Sequence, residues 1–165
     1  MGLHHCIMIN ILVLTLLALV LKANAFEIGE KLGGNIAVIN DCGKDDYIAQ
    51  IDYIKFSPNP PERGKPLTIL GKGNLTENIK EGAYVDLVVK YGLIKLLQQQ
   101  MDLCEEAEKI GYQCPLQRGE LQVEHTETLP KEIPPGKYTV NIRAFTTDKR
   151  PIACVDAIAT FPIKY

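Results

Sequence analysis

The chain has no tryptophan, and beyond its first 25 residues it has a single histidine, His125. One histidine excludes the usual multi-histidine zinc sites. It also leaves any Ser-His-Asp or Cys-His machinery dependent on His125, which sits between Glu124 and Thr126 in an alternating stretch with no G-x-S-x-G elbow. A basic excess is missing as well: 18 Lys and Arg against 20 Asp and Glu give a net charge of -2, which argues against a nucleic-acid-binding face. The acidic group Asp41, Asp45, Asp46 and Asp52 lacks the glycine and terminal glutamate of a calcium loop. Gly71-Lys72-Gly73 lies in a strand-like stretch with no helix after it, so it is not a phosphate loop. These residues call for no metal, no cofactor and no catalytic group.

Long hydrophobic runs are equally scarce. The one that exists, Cys6 to Leu21, is broken only by Asn10 and Thr15 and leads through Lys22 to Ala23-Asn24-Ala25. That is the h-region and A-x-A site of a signal peptide. Its 16 residues fall short of the ~20 that a spanning helix needs. The expectation is a cleaved signal over residues 1–25 and one domain over 26–165, secreted or delivered to a vacuolar or lysosomal lumen. An uncleaved anchor is the alternative, because the n-region carries His4 and His5 in place of Lys or Arg.

All ten prolines and four of the five cysteines follow residue 25. In an oxidising compartment Cys42, Cys104, Cys114 and Cys154 read as two disulfides, with three pairings open. Asn74-Leu75-Thr76 is an N-glycosylation sequon.

Period-two alternation dominates the domain. Leu67, Ile69, Gly71, Gly73 and Leu75 share one face against Thr68, Lys72, Asn74 and Thr76, which puts Asn74 on the solvent side. Ala83 to Leu93 and Tyr138 to Ala144 repeat the pattern. Further strands are expected at 36–39, 47–56, 121–126 and 152–163. The second changes parity near Ile51, as a β-bulge would make it do. Turn signals such as Pro58-Asn59-Pro60-Pro61 and Pro134-Pro135-Gly136 separate them. About seven short strands point to an all-β, immunoglobulin-like sandwich. The stretch from Ile94 to Glu108 departs from this rhythm and reads equally as a helical turn or an extended loop.

Several of these segments together resemble one family. Pro58 to Gly64 (PNPPERG), Gly82 to Leu97 (GAYVDLVVKYGLIKLL), Asp102 to Cys104 (DLC), Cys114 to Leu116 (CPL), Pro134 to Val140 (PPGKYTV) and Cys154 to Pro162 (CVDAIATFP) occur in the order and spacing of the ML, or MD-2-related lipid-recognition, family. The chain is most similar to that family's fungal phosphatidylglycerol/phosphatidylinositol transfer proteins, relatives of the Niemann-Pick C2 sterol carrier. The resemblance implies a sandwich with lipid between its sheets, no catalysis, and the pairings Cys42 to Cys154 and Cys104 to Cys114. The animal sterol carriers have a further small disulfide, for which this sequence has no cysteines.

The expected function is thus a monomeric carrier of one lipid, phospholipid or sterol, that touches membranes transiently. A sterol-dominant carrier and a receptor-coupled lipid sensor are the alternatives. Lifting a lipid from a bilayer exposes its tails at roughly 0.8 kcal/mol per CH₂, so the carrier needs an apolar interior. Leu67, Ile69, Val85, Leu87, Val89, Val123, Val140, Ile142, Val155 and Phe161 have the inward parity and are the candidate cavity wall. Every sandwich has such a face; the resemblance is what makes this one a candidate. Leu93, Leu97, Ile110, Tyr112 and Leu116, beside the Cys104 to Cys114 loop, are the candidate mouth.

Overall fold

The structure is a computed structural model that describes residues 37–163. The expected signal over residues 1–25 lies outside the described residues. Eight strands and one short helix follow one another: β1 (Val38–Asp41), β2 (Ala49–Ser57), β3 (Pro66–Leu75), β4 (Tyr84–Tyr91), β5 (Ile94–Asp102), α1 (Leu103–Glu108), β6 (Gly119–Thr128), β7 (Gly136–Phe145) and β8 (Pro151–Phe161). They form a five-stranded sheet in the order β1-β8-β7-β4-β5 and a three-stranded sheet in the order β2-β3-β6, all antiparallel. This is the expected all-β sandwich, with eight strands where about seven were expected.

The additional strand is β5, which with α1 occupies the stretch expected as a helical turn or loop. Its alternation is hidden for two reasons. It is the edge of the larger sheet, exposed from Ile94 to Gln100, so neither face had to be apolar. A bulge at Leu96, between the pairs Val89 to Leu97 and Lys90 to Lys95, also switches its parity. Where β5 ends, Asp102 caps α1 by accepting from the backbone N–H groups of Cys104 at 2.8 Å and Glu105 at 3.1 Å. In β2 the parity change is likewise a bulge, at Asp52: Ile51 pairs Gly73 and Tyr53 pairs Lys72.

Successive antiparallel strands send their connections alternately to the two ends of the sandwich. One end holds the packed core of Ile48, Leu75, Ile79, Ala83, Ala107, Leu116, Ala144 and Ile152. The segment between β3 and β4 is stitched there to the segment before β6, Ile79 and Leu116 exchanging backbone hydrogen bonds of 2.9 Å. The other, far end carries the loops 57–65, 92–93 and 129–135. Arg63 ties two of its segments together, donating to the carbonyls of Ile133 at 3.0 Å and Pro162 at 2.6 Å. The disulfides are Cys42 to Cys154, spanning 112 residues, and Cys104 to Cys114, spanning 10.

Candidate functional site

Strand registers fix which side chains face between the sheets. On the larger sheet Val85, Leu87, Val89 and Tyr91 of β4 pair with Ala144, Ile142, Val140 and Tyr138 of β7, and these continue to Ala153, Val155, Ala157 and Ala159 of β8. On the smaller sheet Leu75, Gly73, Gly71 and Ile69 of β3 lie between Ala49, Ile51, Ile54 and Phe56 of β2 and Gly119, Leu121, Val123 and His125 of β6. In an interlocked sandwich the central members of such rows are buried. Here Leu87, Val89, Val140, Ile142, Val155, Ile69 and Val123 are only half-buried, and burial is concentrated at the core end.

Two apolar cavities of about 240 and 260 Å³ share Ala49, Leu75, Leu121 and Val123 as walls; the first is lined by the smaller sheet alone, and the second also by Ala144, Ile152 and Ala153 of the larger sheet. Together they reach the size of small-molecule sites, roughly 300–1,000 Å³. The first runs along the smaller sheet past Gly71 to Ile54 and Ile69. A Cβ built on Gly71 would meet nothing nearer than Val123 Cβ at 3.9 Å, so the missing side chain is part of the space. The second extends under α1 among Ile79, Leu103, Ile110, Tyr112 and Leu116. Lys72 and Glu106 contribute to the walls, but their charges are engaged outside, Lys72 with Glu120 at 2.9 Å and Glu106 with Lys109 at 2.6 Å. The Glu120 carboxylate holds the Lys72 ammonium above its ordinary pKa.

The candidate residues fall into distinct groups. Ile69 and Val123 line the first cavity. Val85, Leu87, Val89, Val140, Ile142 and Val155 form the facing surface on the larger sheet, and Leu67 lies beyond Ile69 toward the far end. Phe161 is buried in an aromatic cluster that closes the far end of the larger sheet, its ring 5.6 Å from Tyr138, which is 5.2 Å from Tyr91. A Cβ on Gly136 would lie 2.4 Å from the Tyr91 ring, so glycine is what admits that ring. Burial, with Tyr91 nearby, raises the Tyr138 phenol above its usual pKa.

The five candidate mouth residues do not meet. Leu93 and Leu97 stand at the β4–β5 hairpin, whereas the Cys104 to Cys114 loop follows the opposite end of β5, roughly 25 Å away at strand rise. Ile110, Tyr112 and Leu116 line the second cavity, and Leu116 is buried. Leu93 is fully exposed, and Ile94, Leu96 and Leu97 extend the same apolar tip. Sequence reasoning missed Ile51 and Ile54, whose parity the Asp52 bulge scrambles, and Leu103 and Ile79, which belong to no alternating run. The sequon residue Asn74 is exposed on the outer face of β3.

Comparison with known proteins places this architecture. The family model of the ML domain matches residues 37–161. The phosphatidylglycerol/phosphatidylinositol transfer protein of Debaryomyces hansenii is 45% identical over 115 residues, 70% of this chain and 59% of that protein. The protein of the same name from Cryptococcus neoformans is 45% identical over 123 residues, 73% of this chain and 68% of that one. The chain thus spans about three fifths to two thirds of the length of the curated relatives it matches. Among solved structures, chicken MD-1 complexed with lipid IVa superposes with a TM-score of 0.59 at 22% identity, covering 79% of this chain and 93% of MD-1. A Niemann-Pick type C2 protein from Japanese carpenter ant gives 0.54 at 20% identity, covering 75% and 98%. With a family match over residues 37–161 and the sandwich, disulfides and inter-sheet cavity all in place, the chain belongs to the ML-domain family.

Proposed function

We propose that this protein carries a single lipid between membranes, its tails held between the two sheets and its chemistry unchanged. The observation that supports this most strongly is the pair of apolar cavities bounded by half-buried aliphatic faces, because an ordinary sandwich core would have closed on itself. The names of the fungal relatives favour phosphatidylglycerol and phosphatidylinositol as the cargo class. Loading requires the sheets to separate further at the far end, where Val89, Val140 and Leu67 supply additional apolar surface.

The far end is also the end we assign to the membrane. Leu93 and Ile94 project from it, and Lys90, Lys95, Lys131 and Lys137 lie around it. Glu62, Glu127 and Glu132 also lie at this end, whereas Glu105, Glu106, Glu108, Asp45 and Asp46 belong to the opposite end together with Lys44, Lys80 and Lys109. Apolar tips flanked by lysines suit an anionic bilayer surface. The disulfides fit a secreted or lumenal location. Asn74 is a glycan acceptor in this reading; a glycosidase-sensitive mobility shift that disappears in Asn74→Gln checks it.

The carrier reading is tested by extracting the purified protein with organic solvent, identifying lipid by mass spectrometry, and measuring transfer between labelled and unlabelled vesicles. Co-purified phospholipid together with transfer is the expected result. No bound lipid and no transfer refutes the reading, and stoichiometric sterol without phospholipid redirects it to a sterol carrier.

A further inference from the structure

The surface between the sheets is largely apolar; by register the edge strands β1 and β5 bring Asp41 and Gln99 onto it, opposite Val155 and Leu87, and β6 brings two adjacent polar side chains. By register, the inward rows of β2, β3, β4, β7 and β8 carry no acid, base or amide. The inward row of β6 runs Gly119, Leu121, Val123, His125, Glu127, so its apolar part ends where Val123 lines the cavity and a histidine and a glutamate follow. His125 is paired with the cavity residue Ile69, and Glu127 with Leu67. The imidazole is 41% exposed and the carboxylate 72% exposed, so both stand in the wet far end with the dry cavity directly behind them.

Two phenols and the guanidinium at this end are already engaged. The Tyr91 hydroxyl donates to the Pro135 carbonyl at 2.9 Å, the Tyr138 hydroxyl to the Pro134 carbonyl at 3.1 Å, and Arg63 to Ile133 and Pro162. Among the described residues the ion-pair partner of His125 is Glu127, at 3.8 Å, beyond hydrogen-bond distance. One Glu127 oxygen accepts from the Thr128 backbone N–H at 3.1 Å, and the oxygen facing His125 keeps its capacity. An imidazole N–H donates whether the ring is neutral or charged, and a carboxylate accepts.

We propose that His125 and Glu127 form the headgroup subsite of this carrier. His125 donates to the phosphodiester, and Glu127, two residues further out along the strand with its Oε2 3.8 Å from the imidazole Nε2, accepts from a hydroxyl of a polyol head. The inference rests on the lipid-carrier reading and adds to it the residues that select the head, an anionic phosphodiester bearing a hydroxylated substituent. A phosphate without such a substituent satisfies His125 alone, and a headless diacylglycerol satisfies neither.

The test uses lipids with identical fluorescent tails, namely phosphatidylinositol, phosphatidylglycerol, phosphatidic acid and diacylglycerol, each in phosphatidylcholine donor vesicles. With wild-type protein, both polyol lipids are expected to move faster than phosphatidic acid. In His125→Leu their transfer falls about tenfold relative to diacylglycerol, the worth of one hydrogen bond to a charged group. In Glu127→Leu they fall to the rate of phosphatidic acid, while diacylglycerol is unchanged and reports that the variant is folded. Equal loss for all four lipids in His125→Leu, or no change in either variant, overturns the inference while leaving the carrier reading standing. A wild-type protein that moves none of the four overturns both.

Discussion

Gly71→Leu separates the cavity from the fold because it acts on them with opposite sign. Gly71 pairs Ile54 on one side and Val123 on the other, all three facing the first cavity. Its backbone is not in the left-handed region, and a Cβ there has ordinary van der Waals clearance, 3.9 Å from Val123 Cβ. A leucine side chain therefore enters existing space of about 240 Å³. Full burial of leucine contributes about 1.5–3 kcal/mol, and imperfect packing offsets part of it, leaving a gain of about 1–2 kcal/mol. Thermal unfolding should rise by roughly 4 °C per kcal/mol. Both proteins must first be stripped of lipid, because bound ligand stabilises the native state in its own right. Lipid transfer by the same variant should fall at least about tenfold, since the tails lose the volume that the side chain takes. Gly73→Ala is the control: its Cβ would lie 2.5 Å from the Gln50 carbonyl oxygen and 3.2 Å from Ile51 Cα, so it should destabilise the protein. Undiminished transfer by Gly71→Leu would refute the cavity as the lipid site, and a lowered melting temperature would show that the space is not available.

Leu93→Asp should reduce sedimentation with anionic vesicles about tenfold or more, by removing roughly 1.5–3 kcal/mol of membrane burial, with the melting temperature unchanged because the side chain is fully exposed. Replacing Cys42 and Cys154 by serine should cost about 5 kcal/mol in denaturant unfolding, and replacing Cys104 and Cys114 about 3, following loops of 112 and 10 residues; equal losses would contradict the loop-closure account. Asp156 gives a pH dependence. Burial pushes its carboxyl up, but hydrogen bonds from Asn141 at 2.7 Å and Arg143 at 2.8 Å outweigh this and hold it below its ordinary pKa. A depressed native pKa means stability that is present above the ordinary carboxylate range and is lost as pH falls through the native value. Asp156→Asn should therefore show a shallower loss of stability below about pH 4 than the wild type, and identical slopes would exclude the contribution.

What was legible in the sequence follows from which residues face only one environment. Strands β3, β4 and β7 each have a face toward the interior and a face toward solvent, so Leu67 to Leu75, Ala83 to Leu93 and Tyr138 to Ala144 alternate and could be read directly. The inward parity of all ten candidate wall residues agrees with the register, because two-residue periodicity survives wherever no bulge intervenes. It fails at Asp52 and Leu96, where one inserted residue reverses every later assignment, and so Ile54 and the whole of β5 were not assigned. The mouth was unreadable for another reason. Leu93, Leu97 and the Cys104 to Cys114 loop are close in sequence, but β5 separates them by its length, and which end of a strand a loop occupies depends on topology. His125 is visible in the sequence as the single histidine of the domain, in an alternating stretch that gives it no catalytic motif. Its interest comes only from its place at the end of an apolar row.

The distribution of the core bears on how a carrier of the proposed kind would release a lipid. The buried cluster, α1 and the Cys104 to Cys114 bridge all lie at one end, and Cys42 to Cys154 fastens β1 to β8 on that side. Separating the sheets at the far end therefore leaves this cluster in place and exposes mostly faces that are already half-buried, Ala37, Pro61 and Phe161 being the buried residues of that end. Occupancy should stabilise the two ends unequally, since a lipid re-covers Val89, Val140 and Ile69 but adds little around Ile79 and Leu116. Hydrogen exchange of lipid-free and lipid-loaded protein measures this end by end. Amides of β4 near Val89 and of β7 near Val140 should gain protection on loading, while the Ile79 and Leu116 amides, bonded to each other's carbonyls at 2.9 Å, should be protected in both states. A uniform gain across both ends would mean that the sandwich opens as one unit and that the core end is no anchor.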